Sequence, residues 1–118
     1  FDEQSIDHIV AEPYLGPPLR SKVSRHDIEN IIYELTELYT IAYKHFAKIL
    51  KPGGRVVMIW PMFVLNKEVI QLDISRVVGE IGFTKVEYLS KFSLGNNKLV
   101  YQRPDQLVRR RIEIWQLN

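Results

Sequence analysis

Residues 49–60 read ILKPGGRVVMIW and join two predicted elements of secondary structure. The first half contains Lys51-Pro52-Gly53-Gly54, a combination that ends helices and turns the chain. The second half, Val56–Trp60, is a continuous apolar run, which is typical of strands buried on both faces of a parallel sheet. The segment therefore predicts a helix that leads into a buried strand of an α/β sheet.

The predicted helix before this turn begins near Ser24 and lasts for about six turns. Ser24 followed by Asp27 resembles a capping box, in which each side chain binds the backbone N–H group of the other residue. The spacing of the apolar residues after it is helical. These residues are Ile28, Ile31, Ile32, Leu35, Leu38, Tyr39, Ala42, Phe46, Ile49 and Leu50.

A first strand is predicted at Ile6–Ala11, which is short, β-branched and apolar at one end. It stops at Glu12-Pro13, because proline cannot donate a hydrogen bond to a strand ladder. Residues 15–22 are rich in glycine and proline and form the predicted loop to the helix.

A second helix is predicted beyond the buried strand, where Pro61 limits how far that strand's ladder continues. Asn66 is its predicted N-cap, and Gly82 stands where a left-handed C-cap residue belongs. The predicted buried stripe of this helix consists of Val69, Ile70, Ile74, Val77, Val78 and Ile81.

The C-terminal third predicts further strands. Residues 84–94 alternate between apolar and polar, Gly95-Asn96-Asn97 is a hairpin turn signal, and Leu99–Tyr101 would return antiparallel. Ile112 and Ile114 alternate with charged residues and predict a final short strand. The predicted order is β-α-β-α-β-β in one α/β domain, with an antiparallel C-terminal hairpin and right-handed crossovers.

Composition excludes several classes of protein. The 118 residues contain 16 Lys and Arg against 14 Asp and Glu, which gives a net charge of +2, and no cysteine. A disulfide framework, a cysteine-ligated zinc site and a thiol nucleophile are therefore excluded. The three histidines lack metal-ligand spacing, so no metal is predicted. No membrane helix and no signal peptide is recognisable, which favours a cytoplasmic protein with no membrane partner.

The order of these features resembles a known family. A strand ends in Glu12-Pro13-Tyr14, a long helix leads to Leu50–Arg55 and a buried strand, and a second helix ends in Ile81-Gly82-Phe83. This order resembles the C-terminal half of a Rossmann-like methyltransferase that depends on S-adenosyl-L-methionine. The Glu-Pro-Tyr segment is similar to the acidic-Pro-Pro-aromatic motif of enzymes that methylate exocyclic amines. The resemblance includes the RNA guanine-N2 methylases related to THUMP-domain tRNA enzymes, and the N6-adenine DNA methylases.

The resemblance implies S-adenosyl-L-methionine as cofactor and guanine N2 in tRNA as target, with N6 of adenine in DNA as an alternative. It also implies that residues 1–118 are the substrate-side half of a methyltransferase domain. The Gly-rich loop that holds the cofactor in this family has no counterpart here, because Gly53-Gly54 precedes a strand rather than a helix. The expected partners are therefore a nucleic acid, tRNA, and an N-terminal cofactor-binding half or a partner chain in its place. Without that half, the strand at residues 6–11 is expected to have an unpaired edge.

The resemblance assigns catalysis to Glu12, Pro13 and Tyr14. The Glu12 carboxylate and the Pro13 carbonyl would accept hydrogen bonds from the target amine and aim its lone pair at the methyl group. Tyr14, or Leu15 in a shifted register, would pack on an extruded base. This chain departs from the family motif in two ways: glutamate replaces the usual Asp or Asn, and one proline stands where two are usual.

Substrate binding is assigned to the residues around this motif. Arg20 and Lys22 could contact phosphates that flank the target base. The complete set of predicted substrate-binding residues is Leu15, Gly16, Arg20, Lys22, Pro61 and Met62. In the basic run Arg109-Arg110-Arg111, alternation directs Arg110 away from its neighbours, so the three cannot serve one phosphate track.

Three alternatives stay open at the level of sequence. Glu12-Pro13-Tyr14 by itself is also a plain turn that ends a strand. The chain could be a methyltransferase-like module that binds or scaffolds a partner without catalysis, or an unrelated α/β domain with the same turn signals. The sequence also leaves open RNA against DNA, guanine against adenine, one methyl group against two, the oligomeric state and the activity of the isolated chain.

Overall fold

The computed structural model describes residues 1–17, 19, 23–87, 99–102 and 108–118. Its elements in chain order are β1 (Ile6–Ala11), α1 (Arg25–Ile49), β2 (Leu50–Leu65), β3 (Glu68–Gln71), α2 (Ser75–Ile81), β4 (Phe83–Lys85), β5 (Leu99–Gln102) and β6 (Val108–Leu117). No helix in these ranges combines the length and the apolar character needed to span a bilayer.

One mixed sheet contains all the strands, in the order β1-β2-β6-β4. β1 and β2 are parallel, whereas β6 runs antiparallel to both of its neighbours, β2 and β4. β3 continues the sheet beside the end of β2, and β5 lies beside β6. Among the described residues β1 pairs with β2 alone, which confirms the predicted open edge. The predicted α/β class is confirmed. An antiparallel pair of strands does lie at the C-terminus, but it consists of β5 and β6.

The core lies between α1 and one face of the sheet. Val56, Met58 and Trp60 alternate along β2 and are fully buried against the helix. The Trp60 indole N–H donates to the Tyr43 hydroxyl of α1 over 3.2 Å, and the Trp60 ring stacks on Trp115 of β6 at 6.0 Å. These aromatic contacts fix α1, β2 and β6 relative to one another, and each adds about 0.5–1.5 kcal/mol beyond its buried area.

The junction between α1 and β2 differs in detail from the prediction. The Ser24 capping box is confirmed: the Asp27 N–H donates to Ser24 Oγ, and the Ser24 N–H donates to Asp27 Oδ2, both over 3.1 Å. α1 ends at Ile49, but β2 begins at once at Leu50, so the predicted turn lies inside the strand. The turn is accommodated by a register shift between β1 and β2, since Ile6 pairs with Leu50 while His8 pairs with Arg55. Gly53 takes a φ of +84° in this bulge, a conformation that glycine adopts without steric cost.

The predicted helix after β2 begins too early. Asn66 does not cap a helix: Asn66 and Lys67 both have positive φ, +50° and +66°, and form the tight turn between β2 and β3. Two consecutive residues with positive φ are what a two-residue hairpin turn requires, and asparagine favours that turn as strongly as it favours a cap. Val69 and Ile70 therefore belong to β3, and the helix is confined to Ser75–Ile81. Gly82, with a φ of +128°, follows α2 as its C-cap, as predicted.

Pro61 does not stop β2, which continues to Leu65. Pro61 pairs with Arg110 of β6, and its carbonyl accepts a hydrogen bond from the Leu72 N–H over 3.3 Å. β2 therefore continues past Pro61 although proline has no backbone N–H group to donate to the ladder.

The C-terminal strand is longer and more central than the sequence suggested. Ile112 and Ile114 lie in the ten-residue β6, which is inserted between β2 and β4. Residues Leu99–Tyr101 pair with β6 rather than with the strand at Phe83–Lys85. The predicted turn at Gly95-Asn96-Asn97 lies outside the described residues.

Candidate functional site

The candidate site begins where β1 ends. Ala11, its last residue, pairs with Met58, and β2 continues for seven more residues to Leu65. The chain from Glu12 onward therefore leaves the sheet beside the middle of β2. In open α/β sheets, ligands bind at the carboxyl ends of the parallel strands, and β1 and β2 are the parallel pair here.

Glu12 is held by Arg110. The Arg110 Nε lies 3.2 Å from Glu12 Oε1, and the side chains are 9% and 53% exposed, respectively. Arg110 belongs to β6 and pairs with Pro61 of β2, so its side chain reaches over β2 to the end of β1. A carboxylate offers about four acceptor sites on two oxygens, so one such contact leaves capacity for a ligand. Glu12 is thus oriented by the protein and still open to solvent.

The loop after Glu12 is fastened to α1. The Tyr39 hydroxyl donates a hydrogen bond of 2.7 Å to the Tyr14 carbonyl. Tyr39 is fully buried, and burial raises the pKa of its hydroxyl, which stays protonated and able to donate. Tyr14 as a whole residue is 60% exposed, so its side chain is available to pack on a flat ligand.

Gly16 allows the loop to pass close to α1. Its φ is +99°, and a Cβ at this position would lie only 2.8 Å from the Ile31 Cγ2. Any side chain would therefore meet both backbone strain and a clash. The path of Glu12–Gly16 depends on this glycine and on the Tyr39 hydroxyl.

Tyr39→Phe is expected to loosen this loop. The substitution removes one hydrogen bond from a buried hydroxyl and should lower the free energy of unfolding by about 1 kcal/mol. Hydrogen exchange of the amides from Tyr14 to Gly16 should become faster. Tyr33→Phe on the same helix is the matched control, because Tyr33 is 67% exposed, and should change stability by less than about 0.5 kcal/mol. Unchanged exchange in Tyr39→Phe would contradict the proposed anchor.

The predicted site residues are only partly brought together. Glu12, Pro13, Tyr14, Leu15 and Gly16 share one loop, in which Pro13, Leu15 and Gly16 are half-buried.

The other four lie elsewhere. Pro61 and Met62 are buried in β2, and Pro61 faces Arg110 in the strand register. Arg20 and Lys22 lie outside the described residues. The roles assigned to all nine residues stay predictions.

Arg110 is the functional candidate that the sequence did not single out. The sequence predicted that neighbouring arginines of this run point in different directions. The structure agrees, because Arg110 and Arg111 bind different partners. Arg110 contacts Glu12, whereas Arg111 contacts Glu113 and lies over the Trp60 ring at 5.5 Å. The alternation of side-chain direction along a strand predicts that Arg110 and Arg111 have different surroundings, but it does not indicate the partner of either one.

The glycines between α1 and the apolar part of β2 do not belong to the loop of Glu12. Gly53 and Gly54 lie near the start of β2, whereas Glu12 lies beside the middle of that strand. A Cβ on Gly54 would come within 3 Å of the Leu50 side chain and of the Asp7 and Lys51 carbonyls, so close packing accounts for glycine there. No described residue is therefore assigned to the cofactor. Within the same ranges, no group of three or more His, Asp or Glu side chains is arranged to hold a metal ion.

Comparison with solved structures identifies the fold. A protein of Thermus thermophilus named "Putative DNA Modification Methylase" aligns with 100% of this chain and 48% of its own, at 17% sequence identity and a TM-score of 0.53. The structure of the same Thermus protein complexed with S-adenosyl-L-methionine aligns with 100% of this chain and 47% of its own, at 17% identity and a TM-score of 0.49. No protein-family model and no curated protein matches the chain. The chain thus has a partial Rossmann-like fold, shared with about half of the Thermus protein, and it spans about half the length of that protein.

Proposed function

We propose that this chain is the substrate-side half of a cytoplasmic methyltransferase that uses S-adenosyl-L-methionine and methylates guanine N2 in tRNA. The observation that carries the proposal is the half-exposed Glu12 carboxylate at the carboxyl end of β1, held by Arg110 and followed directly by Pro13. The fold shared with the Thermus protein named "Putative DNA Modification Methylase" supports the part of this proposal that concerns methyl transfer to a nucleic acid.

The acceptor groups suit an exocyclic amine. The lone pair of such a nitrogen is delocalised into the base, and acceptors around its two hydrogens favour a more pyramidal nitrogen with a directed lone pair. Glu12 Oε2 and the Pro13 carbonyl are two such acceptors, and neither takes part in a described hydrogen bond within the ranges of the structure. Proline adds no competing N–H and stiffens the turn, so the acceptors are preorganised. S-adenosyl-L-methionine, when bound, supplies the electrophilic methyl group.

Tyr14 supplies a surface for the base. The residue is largely exposed while its carbonyl is fixed by Tyr39. An aromatic ring on an anchored backbone stacks on an extruded base at little entropic cost. The base would thus lie against Tyr14 with its amine at Glu12 and Pro13.

The open edge of β1 is where the cofactor-binding half would join. Val10, the last residue but one of β1, is 80% exposed, a high value for a valine in a strand. An unpaired edge with exposed apolar side chains invites a further strand. A parallel strand from the N-terminal half would cover it and bring the cofactor to the carboxyl end of β1. The Thermus methylase, about twice as long as the aligned region, is consistent with such a second half.

The test is methyl transfer by the complete polypeptide that carries this chain. The protein is incubated with methyl-labelled S-adenosyl-L-methionine and either tRNA or duplex DNA, and the labelled nucleosides are separated. We expect label in tRNA as N2-methylguanosine, and none with the 118-residue chain alone.

Each other outcome has a distinct meaning. Label on adenine N6 in DNA would replace the substrate while keeping the reaction. Absence of transfer to either nucleic acid would leave the chain as a binding or scaffolding module. Transfer by the 118-residue chain alone would contradict the need for a second half.

A further inference from the structure

Arg110 and Glu12 form an asymmetric pair. Arg110 keeps only 7% of its surface exposed, whereas the Glu12 side chain is half-exposed. Arg110 is also fixed by the ladder of β6, which pairs with β2 on both sides of Pro61. Because Glu12 lies just past the end of β1 and has no ladder to hold it, the arginine is the fixed member of the pair and the carboxylate is the member that it positions.

The distance between β1 and β6 requires a long acidic side chain at position 12 if that residue is to reach Arg110. β1 and β6 flank β2, so their backbones are about 10 Å apart, two strand spacings. The two side chains together bridge this span with 3.2 Å between Nε and Oε1. Aspartate would end short by roughly one carbon–carbon bond, about 1.5 Å, which is beyond hydrogen-bond reach.

We infer that Arg110 is a positioning residue that aims the second oxygen of Glu12 at the target amine, and that it accounts for glutamate rather than aspartate at position 12. This role rests on the proposed function. Arg110 itself touches neither the base nor the cofactor: it acts through Glu12.

A double-mutant cycle on the methyl-transfer rate of the complete polypeptide tests this inference. Arg110→Met keeps the apolar stem but removes the charged donor, and we expect it to lower kcat by about 10²-fold, the usual effect of misplacing a reacting group by about 1 Å. KM for tRNA should change by less than about threefold, because no nucleic-acid contact is lost. In the Glu12→Ala background, the same Arg110→Met change should lower kcat by less than about threefold, because the positioned group is already gone.

Three further variants sharpen the test. Arg110→Lys should restore part of kcat. Glu12→Asp should lower kcat like Arg110→Met, and it tests the pair even if Arg110→Met fails to fold. Arg55→Met is the matched control: Arg55 donates from β2 to Gln116 of β6 over 3.0 Å at the other end of the sheet, and its loss should leave kcat unchanged.

The outcomes separate this inference from the proposed function. An equal fall of kcat on Arg110→Met in both backgrounds would overturn the positioning role while leaving the reaction intact. A rise in KM alone would overturn it in favour of phosphate binding, and wild-type activity in Glu12→Asp would overturn the argument from side-chain reach. An inactive wild type would overturn the proposed function and this inference together.

Discussion

Replacing Glu12 with alanine is expected to lower the rate of methyl transfer by about 10²- to 10³-fold, the usual effect of removing one preorganised polar group from an active site. Glu12 is the only carboxylate on the loop that follows β1, and its side chain is half-exposed and fixed by Arg110. Without it, one hydrogen of the target amine loses its acceptor, and the nitrogen lone pair is no longer held in line. The Pro13 carbonyl remains, so a residual rate is expected.

The affinity for S-adenosyl-L-methionine should change little in Glu12→Ala. No residue of this loop is assigned to the cofactor, so its dissociation constant, measured by calorimetry on the complete polypeptide, should stay within about threefold of the wild-type value. Thermal unfolding serves as the control for folding, because the side chain of Arg110 is only 9% exposed and loses the Glu12 carboxylate in this variant. Normal turnover in Glu12→Ala would remove this carboxylate from catalysis.

Arg111→Met is expected to lower the free energy of unfolding by about 3–5 kcal/mol, which is the usual cost of breaking a buried ion pair by removing one partner. Arg111 and Glu113 lie two residues apart on β6, with side chains 5% and 3% exposed. Nε lies 3.1 Å from Oε2, close enough for an ion pair but without the alignment of a hydrogen bond. Arg111 also donates to the Gln71 side chain. After the substitution, Glu113 keeps only the distant contact with Lys85, at 3.7 Å, among the ion pairs of the described residues. A buried carboxylate would be left nearly uncompensated.

The companion variant for Arg111→Met removes both charges. Arg111→Met combined with Glu113→Leu should be more stable than Arg111→Met alone, because apolar replacement of a complete buried pair is often neutral. Denaturant unfolding of the wild type, the single variant and the double variant measures both effects. A loss below about 1 kcal/mol in Arg111→Met would show that water reaches this pair, since exposed pairs contribute at most that much.

The sequence predicts the elements whose signals are local. The capping box at Ser24, the length of α1 and the apolar strand at Val56–Trp60 depend on spacing within a few residues, and the structure confirms each. The prediction that Asn66 caps the second helix was wrong, because asparagine favours both helix caps and tight turns. Only the pairing of β3 with β2 distinguishes the two.

The candidate site was predictable in part for a related reason. The loop from Glu12 to Gly16 was predicted as a site because the adjacent residues Glu12, Pro13 and Tyr14 resemble a family motif. The partner of Glu12 lies 98 positions away, in a basic run that reads as a solvated surface although Arg110 and Arg111 are buried. Burial of charged side chains depends on partners across the sheet, and a single sequence carries no signal for them.

The position of β6 has a consequence for how the protein assembles during synthesis. The strand that joins β2 to β4 is the last of the elements to leave the ribosome, although it lies in the middle of the sheet. Until it arrives, the nascent chain exposes the antiparallel edge of β2, together with apolar residues such as Met58 and Trp60 that β6 helps to cover. Folding must then close contacts between residues far apart in the chain, which is a slow step during which the growing polypeptide is exposed to aggregation.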